Sequence, residues 1–361
     1  GAAAVSLYLG PLATLEDGAV PDASLPPVPG DEAGGAVADV GLTDEGQAYL
    51  GVQATTKVGG SVGVQLYRIT ERVRLDSVGE ISGSGAGDRF GEAIGSQFDA
   101  NGDGFADLVV GAPGAGLGDA PQGMVYIYLS PLGAVMTTED ADIGVVGDAL
   151  AGEFGAALAT GSDLDGDGIQ DLVVGAPGAA SGEGKAQIIS FSDLSGEVSV
   201  EVAAWATLSG ADGRLGHAVH VPGDVDGDGH DDVVLGAPTA AGAGPESGAA
   251  YIFWGSGGAG TFAPDASIDS VAPQVNLGTS LGATVGASAG AVQSLLVGGH
   301  GADVGDDGDP EETQELTITA SSSNEGLIKT ITVDQNTIKY QPELNAYGDT
   351  TISVIVKDNG Q

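Results

Sequence analysis

Short apolar runs stopped by Gly and Pro set the rhythm of this chain. Three are near copies of one another: Leu108-Val-Val-Gly-Ala-Pro113, Leu172-Val-Val-Gly-Ala-Pro177 and Val233-Val-Leu-Gly-Ala-Pro238. Runs this short, rich in β-branched residues and closed by Gly and Pro, read as buried strands rather than helices. A second strand follows each: Met124-Val-Tyr-Ile-Tyr-Leu129, Ala186-Gln-Ile-Ile-Ser-Phe191 and Ala249-Ala-Tyr-Ile-Phe-Trp254. A further strand-like stretch, Val198–Ala204, leads toward the next unit. Nine residues before the polar segment that opens each copy stands an apolar-Gly pair: Phe90-Gly91, Phe154-Gly155 and Leu215-Gly216. Each unit spans about sixty residues and holds about four short strands, which predicts an all-β fold built from repeats.

The polar segments carry the chemistry. They read Asp99-Ala-Asn101-Gly-Asp103-Gly-Phe105-Ala-Asp107, Asp163-Leu-Asp165-Gly-Asp167-Gly-Ile169-Gln-Asp171 and Asp224-Val-Asp226-Gly-Asp228-Gly-His230-Asp-Asp232. Oxygen side chains stand at positions 1, 3, 5 and 9. A hard cation such as Ca2+ takes six to eight oxygens at about 2.3–2.6 Å, and the backbone carbonyl at position 7 can supply one more. Phe105, Ile169 and His230 therefore enter through their backbone oxygens alone. Crowded carboxylates repel one another unless a cation sits among them. The loops differ from an EF-hand at position 12, where Val110, Val174 and Leu235 replace the bidentate Glu. Three loops in register predict three Ca2+ sites.

An apolar-Gly pair, an acidic loop and Gly-Ala-Pro in this order resemble the FG-GAP repeat of integrin α heads and many bacterial surface proteins. The similarity runs from about Asp88 to Gly258. It implies a β-propeller of four-stranded antiparallel blades, with Ca2+ held by the aspartates of each loop. Asn101, where an aspartate is usual, keeps an oxygen but removes a charge.

Weaker copies flank the clear ones. Upstream, Gly35–Ala38 resembles Gly91–Ile94, Tyr49–Val52 stands in place of the apolar run, and Gly63–Arg68 in place of the later strand. The segment Asp39–Glu45 lacks the ligand spacing and predicts no tightly held ion. Downstream, Leu281-Gly282 and Ser294–Gly299 suggest a fifth copy, whose loop at Ala287–Val292 contains no acid. Tyr8–Leu12 is similar to Tyr128–Leu132, so residues 1–12 are expected to close the fifth blade as its late strand. About five blades result. Residues 13–34, rich in Pro, read as a surface loop.

Composition changes near Gly308-Asp-Pro310. Gly accounts for 61 of the first 310 residues and 3 of the last 51. The expected division is a propeller over residues 1–308 and a second domain over 309–361. Leu316–Ala320, Leu327–Val333, Thr337–Tyr340 and Thr350–Val356 alternate as sandwich strands. This end resembles a bacterial Ig-like or cadherin-like domain. Such domains run to about 90 residues, so the segment reads as a partial β-sandwich that needs a partner for its edges.

A formal net charge of −41 argues against nucleic-acid binding and against an anionic membrane surface unless Ca2+ bridges the two. There is no Cys, and no apolar run is long enough to span a membrane as a helix. The start, Gly1–Ala4, is too short for a secretion signal. No catalytic constellation is visible. His217, His220, His230 and His300 are scattered, and no Gly-x-Ser-x-Gly elbow lies between a strand and a helix. Trp205 and Trp254 could stack on a sugar, although Trp254 fits a core position better. The sequence thus predicts a non-enzymatic, Ca2+-stabilised adhesion or surface-structural module of a bacterium. Its place is extracellular or at the cell surface, and its partner a protein or glycan on a cell or matrix surface. The alternatives are a fibre or surface-layer subunit assembled by strand donation, and the non-catalytic propeller of a secreted enzyme.

Overall fold

The computed structural model describes residues 75–269 except 117–120, 192–193, 227 and 242–245; outside that span it describes residue 277 and the strands named below that fall there. The fold is all-β and propeller-like: among the described residues there are five sheets of four or five strands and two of two strands, and the fifth larger sheet is Ser280–Thr284, Gln293–Gly298, Thr337–Pro342 and Ile328–Asp334. Sheet one is Glu32–Leu42, Ala48–Thr55, Val62–Ile69 and Leu75–Ser82. Sheet two is Ala93–Phe98, Asp107–Ala112, Met124–Tyr128 and Ile143–Val146. Sheet three is Ala157–Ser162, Asp171–Ala176, Lys185–Ile189 and Ala204–Leu208. Sheet four is Ala218–Gly223, Asp232–Ala237, Ala249–Phe253 and Ala266–Asp269. In each of these four sheets the four strands named pair antiparallel with their neighbours, in the order in which they occur along the chain. The first strands of successive sheets lie against each other, as propeller blades require.

The apolar runs are continuous because their strands are covered on both faces. Leu108 and Val110 belong to the core between sheets one and two, while Val109 faces the core between sheets two and three. Leu172 and Val174 share that second core, and Val173 turns to the core between sheets three and four. Successive side chains point to opposite faces of a strand, so a strand sandwiched between two neighbours has no polar face.

The apolar-Gly and Gly-Ala-Pro motifs meet at one end of each sheet. Phe90, Phe154 and Leu215 are fully buried, one in each inter-sheet core. The N–H of Gly91 donates to the Gly111 carbonyl at 2.9 Å, and Gly155 and Gly216 do the same to Gly175 and Gly236. A Cβ on Gly111 would fall 2.0 Å from the Gly155 carbonyl oxygen of the next sheet, and one on Gly175 would fall 2.0 Å from that of Gly216. The motif glycines are contact points between successive sheets, where backbone meets backbone.

Each outer strand of sheets one to three also gains a parallel fifth strand. Val135–Thr137 pairs with Leu75–Ser82, Gly196–Ser199 with Ile143–Val146, and Gly260–Phe262 with Ala204–Leu208. In every case the donor lies between the third and outer strands of the next sheet. This covers the outer edge and straps consecutive sheets together. The strand expected over Val198–Ala204 is interrupted for the same reason. Gly196–Ser199 serves sheet two, a helical turn at Val200–Ala203 follows, and Ala204–Leu208 returns to sheet three.

Two expectations are corrected. The apolar-Gly position of sheet five is Leu277, not Leu281. Leu277 is buried, bridges Gly248 as Phe154 bridges Gly123, and donates its N–H to the Ser247 carbonyl at 3.1 Å. Leu281 lies inside the first strand of that sheet, Ser280–Thr284. Second, Val5–Leu7 does not close sheet five; it pairs with Ala23–Leu25, within the stretch read as a loop. A nearby partner costs less chain entropy than a distant one. The strand beside Gln293–Gly298 is Thr337–Pro342, which pairs in turn with Ile328–Asp334. Strands after residue 310 thus supply the edge partner, while Thr317–Ser322 pairs with Ile352–Lys357. The loop at 287–292 and residues 8–12 lie outside the described residues.

Candidate metal centre

The three acidic loops join the first and second strands of sheets two, three and four, at the end opposite the glycine contacts. Their internal hydrogen bonds repeat almost atom for atom. The position-1 carboxylate reaches across the turn. Asp99 Oδ1 and Oδ2 accept from Asp103 N at 3.1 Å and Gly104 N at 2.8 Å. Asp163 accepts from Asp167 N and Gly168 N at 3.0 and 2.9 Å, and Asp224 from Asp228 N and Gly229 N at 3.1 and 3.0 Å. Position 3 accepts from the position-5 N–H: Asn101 at 2.9 Å, Asp165 at 3.0 Å and Asp226 at 3.0 Å. Position 5 accepts from position 7: Asp103 from Phe105 at 2.9 Å, Asp167 from Ile169 at 2.8 Å and Asp228 from His230 at 2.8 Å. Each carboxylate thereby orders the next, and the glycines at position 6 adopt φ of 89°, 91° and 99° to let the chain wrap.

Position 9 closes the loop from below. Asp107, Asp171 and Asp232 are buried although ionisable. One oxygen of each accepts the position-2 N–H, from Ala100 at 2.9 Å, Leu164 at 2.7 Å and Val225 at 2.7 Å. The other oxygen is held from outside the loop, by Ser130 N at 2.8 Å for Asp107 and Gly255 N at 2.9 Å for Asp232. In the second loop the indole Nε1 of Trp205 takes this part, 3.4 Å from Asp171. Burial pushes Asp107 up to about 6 and Asp171 and Asp232 up to about 7, while these N–H donors pull the other way with less effect. Asp165 and Asp226 are also raised, by burial first and then by neighbouring carboxylates.

Ligand oxygens converge in two of the loops. One carboxylate oxygen from each of Asp163, Asp165 and Asp167 lies within 4.8 Å of the others, and the same holds for Asp224, Asp226 and Asp232. The first loop carries an amide at position 3, and its Nδ2 donates to Asp103 at 3.0 Å. Oxygen-only donors, a tight wrap and several carboxylates bound mainly by backbone N–H groups fit a hard divalent cation. They do not fit zinc, which prefers nitrogen and sulfur. Phe105 and His230 are exposed and Ile169 half-buried at position 7, where only a backbone oxygen is asked for.

Sequence reasoning missed the partners outside the loops. Position 2 is apolar and buried in all three (Ala100, Leu164, Val225), a pattern that was readable. Trp205, Ser130 and Gly255 were not readable, because they come from other segments of the chain. Trp205 is half-buried, with its indole N–H directed at Asp171. At the opposite end of the sheets, Glu153 joins Arg89 at 3.2 Å and also Arg214, and Lys185 pairs with Asp148. Arg89, Glu153 and Arg214 each precede the apolar-Gly pair of their sheet.

Residues 90–128, 154–189 and 216–253 match the FG-GAP repeat. Three segments of the chain are thus similar to the FG-GAP repeat. Each match begins at or beside the apolar-Gly pair, spans the acidic loop and ends with the third strand of sheet two, three or four. Among relatives, the chain is 36% identical over 165 residues to the rat (Rattus norvegicus) phosphatidylinositol-glycan-specific phospholipase D, covering 43% of this chain and 19% of that protein. It is 41% identical over 98 residues to integrin alpha-PS5 of Drosophila melanogaster, covering 26% and 9%. It is 30% identical over 175 residues to integrin alpha-4 of Xenopus laevis, covering 46% and 16%. The chain thus spans less than a fifth of the length of these relatives. Among the described residues no helix is long and apolar enough to cross a membrane.

Proposed function

We propose that the FG-GAP repeats form a Ca2+-stabilised binding module, acting outside the cell or at a bacterial cell surface. Three Ca2+ ions sit in the loops, one each on Asp99, Asn101, Asp103 and Asp107; on Asp163, Asp165, Asp167 and Asp171; and on Asp224, Asp226, Asp228 and Asp232. The backbone oxygens of Phe105, Ile169 and His230 complete them. The observation that carries this reading is the convergence of the carboxylates in the second and third loops, on a hydrogen-bond scaffold that the first loop repeats. Bound Ca2+ supplies the positive charge that eleven ligand carboxylates lack. The protein supplies order: position 9 anchors each loop to its sheet, and positions 1, 3 and 5 are preset by backbone donors.

Loops so fixed leave the connections at both ends of the sheets free to present side chains to a protein or glycan ligand. Integrin relatives favour adhesion over catalysis. The phospholipase D relative favours a second reading, the propeller part of a secreted enzyme whose chemistry lies elsewhere. The residues after 308 are proposed to act as an Ig-like segment that supplies strands to a neighbouring edge. Thermal melting in excess chelator, in millimolar Ca2+ and in millimolar Mg2+ tests the central claim. Ca2+ should raise the melting temperature well above both other conditions. Equal melting in all three would sink the calcium reading.

A further inference from the structure

The first and second loops touch. Asp99 donates its backbone N–H to Oε1 of Gln170 at 2.9 Å, across the boundary between sheets two and three. A second approach lies beside it, where a Cβ on Gly102 would be 3.9 Å from Cγ1 of Ile169. A cleft of about 340 Å3 lies nearby, with Ala100, Asn101 and Ile169 in its lining. This polar contact between the two loops runs through the side chain of Gln170.

The placement of that side chain matters. Gln170 is position 8 of the second loop, between the position-7 carbonyl of Ile169 and the buried carboxylate of Asp171. Asp99 is position 1 of the first loop, and its carboxylate holds Asp103 N and Gly104 N. The hydrogen bond joins a backbone stretch that one ion would pin to the residue that begins the wrap around the other. The corresponding residues in the other loops are Ala106, which has no polar side chain, and Asp231.

We propose that Gln170 couples the two ion sites, so that filling the second loop tightens the first. This rests on the calcium reading above. An ion in the second loop fixes the backbone at 169–171, and with it the acceptor that orients Asp99. The first loop then loses less freedom when it binds. Linkage makes the effect reciprocal, with one coupling factor in both directions. A single hydrogen bond of ordinary net strength supports a factor of about two to ten.

The test uses the full chain, Ca2+ as the only probe, and site-resolved NMR. The amide of Gly104 reports the first loop and that of Gly168 the second, since each donates to the position-1 carboxylate. Emptying the second loop with Asp167→Ala should weaken Ca2+ binding at Gly104 about two- to tenfold. In a Gln170→Ala background the same substitution should leave Gly104 binding unchanged. Gln170→Glu keeps an acceptor oxygen and should retain the coupling, which separates a lost hydrogen bond from a disturbed fold. If Asp167→Ala has no effect at Gly104, or the same effect whether or not Gln170→Ala is also present, the coupling is overturned. If Ca2+ shifts neither glycine in the unaltered protein, the calcium reading fails first, and the coupling with it.

Discussion

The two ends of these sheets solve opposite problems. At the glycine end, backbone meets backbone. Gly111 and Gly175 press on the carbonyls of Gly155 and Gly216, and acid is matched by base, as in Arg89–Glu153–Arg214. At the loop end, carboxylates are gathered on backbone N–H donors, and three of them are buried. The first end is complete with protein atoms alone. The second still carries excess negative charge, so its stability should depend on what the solvent supplies. The same strands run between both, which makes the ends separable by experiment.

Removing Ca2+ should have the largest effect, confined to the loop end. One site at about 100 times its dissociation constant adds roughly 2.7 kcal/mol, so three together offer about 8 kcal/mol. Against a typical domain stability of about 5–15 kcal/mol, chelation should bring calorimetric unfolding down by tens of degrees. Hydrogen exchange should rise first at the loops and last at Gly91, Gly155 and Gly216. Uniform exchange would remove the distinction between the ends.

The pH response should change sign with the ion. In the ion-free protein Asp107 stands at about 6 and Asp171 and Asp232 at about 7, above the ordinary value of 3.8. The folded state then holds protons that the unfolded chain gives up. That stabilisation is full below about pH 4 and is lost as pH rises through about 6 to 7. Chelated protein should therefore melt higher at about pH 5 than at about pH 8. Calcium-loaded protein should do the reverse, because protons compete with the ion. Melting curves at the two pH values, with and without Ca2+, check both signs.

Gly175→Ala attacks the other end. Its Cβ would sit 2.0 Å from a backbone oxygen that has no room to move, so about 1–3 kcal/mol should be lost. The loss should be the same with and without Ca2+ in denaturant titrations. A loss seen only in chelator would show that the two ends communicate. Glu153→Gln should have the smallest effect. Its partners Arg89 and Arg214 are partly exposed, and solvent-screened pairs of this kind contribute about 0–1 kcal/mol. Raising the salt concentration should erase most of even that difference.

Much of this arrangement is legible in the chain. Positions 1, 3, 5 and 9 of each loop, the apolar runs and the glycines follow from turn chemistry and from the two-residue period of a strand, which are local properties. What the tertiary structure decided is whatever needs a neighbour. Leu277-Gly278 and Leu281-Gly282 are equivalent as sequence, and only the bridge to Gly248 selects Leu277. Trp205 is an ordinary strand residue until the turn of the chain brings its indole to Asp171. Gln170 is one polar residue among many until sheet two stands beside it. The fifth strands at Val135–Thr137, Gly196–Ser199 and Gly260–Phe262 carry no pattern of their own, being three or four residues long and paired with a different sheet. A repeat unit writes its own strands and its own acidic loop into sequence, because those depend on spacing within the unit. Contacts between units depend on which surfaces the stacking brings together, and no spacing along the chain encodes them.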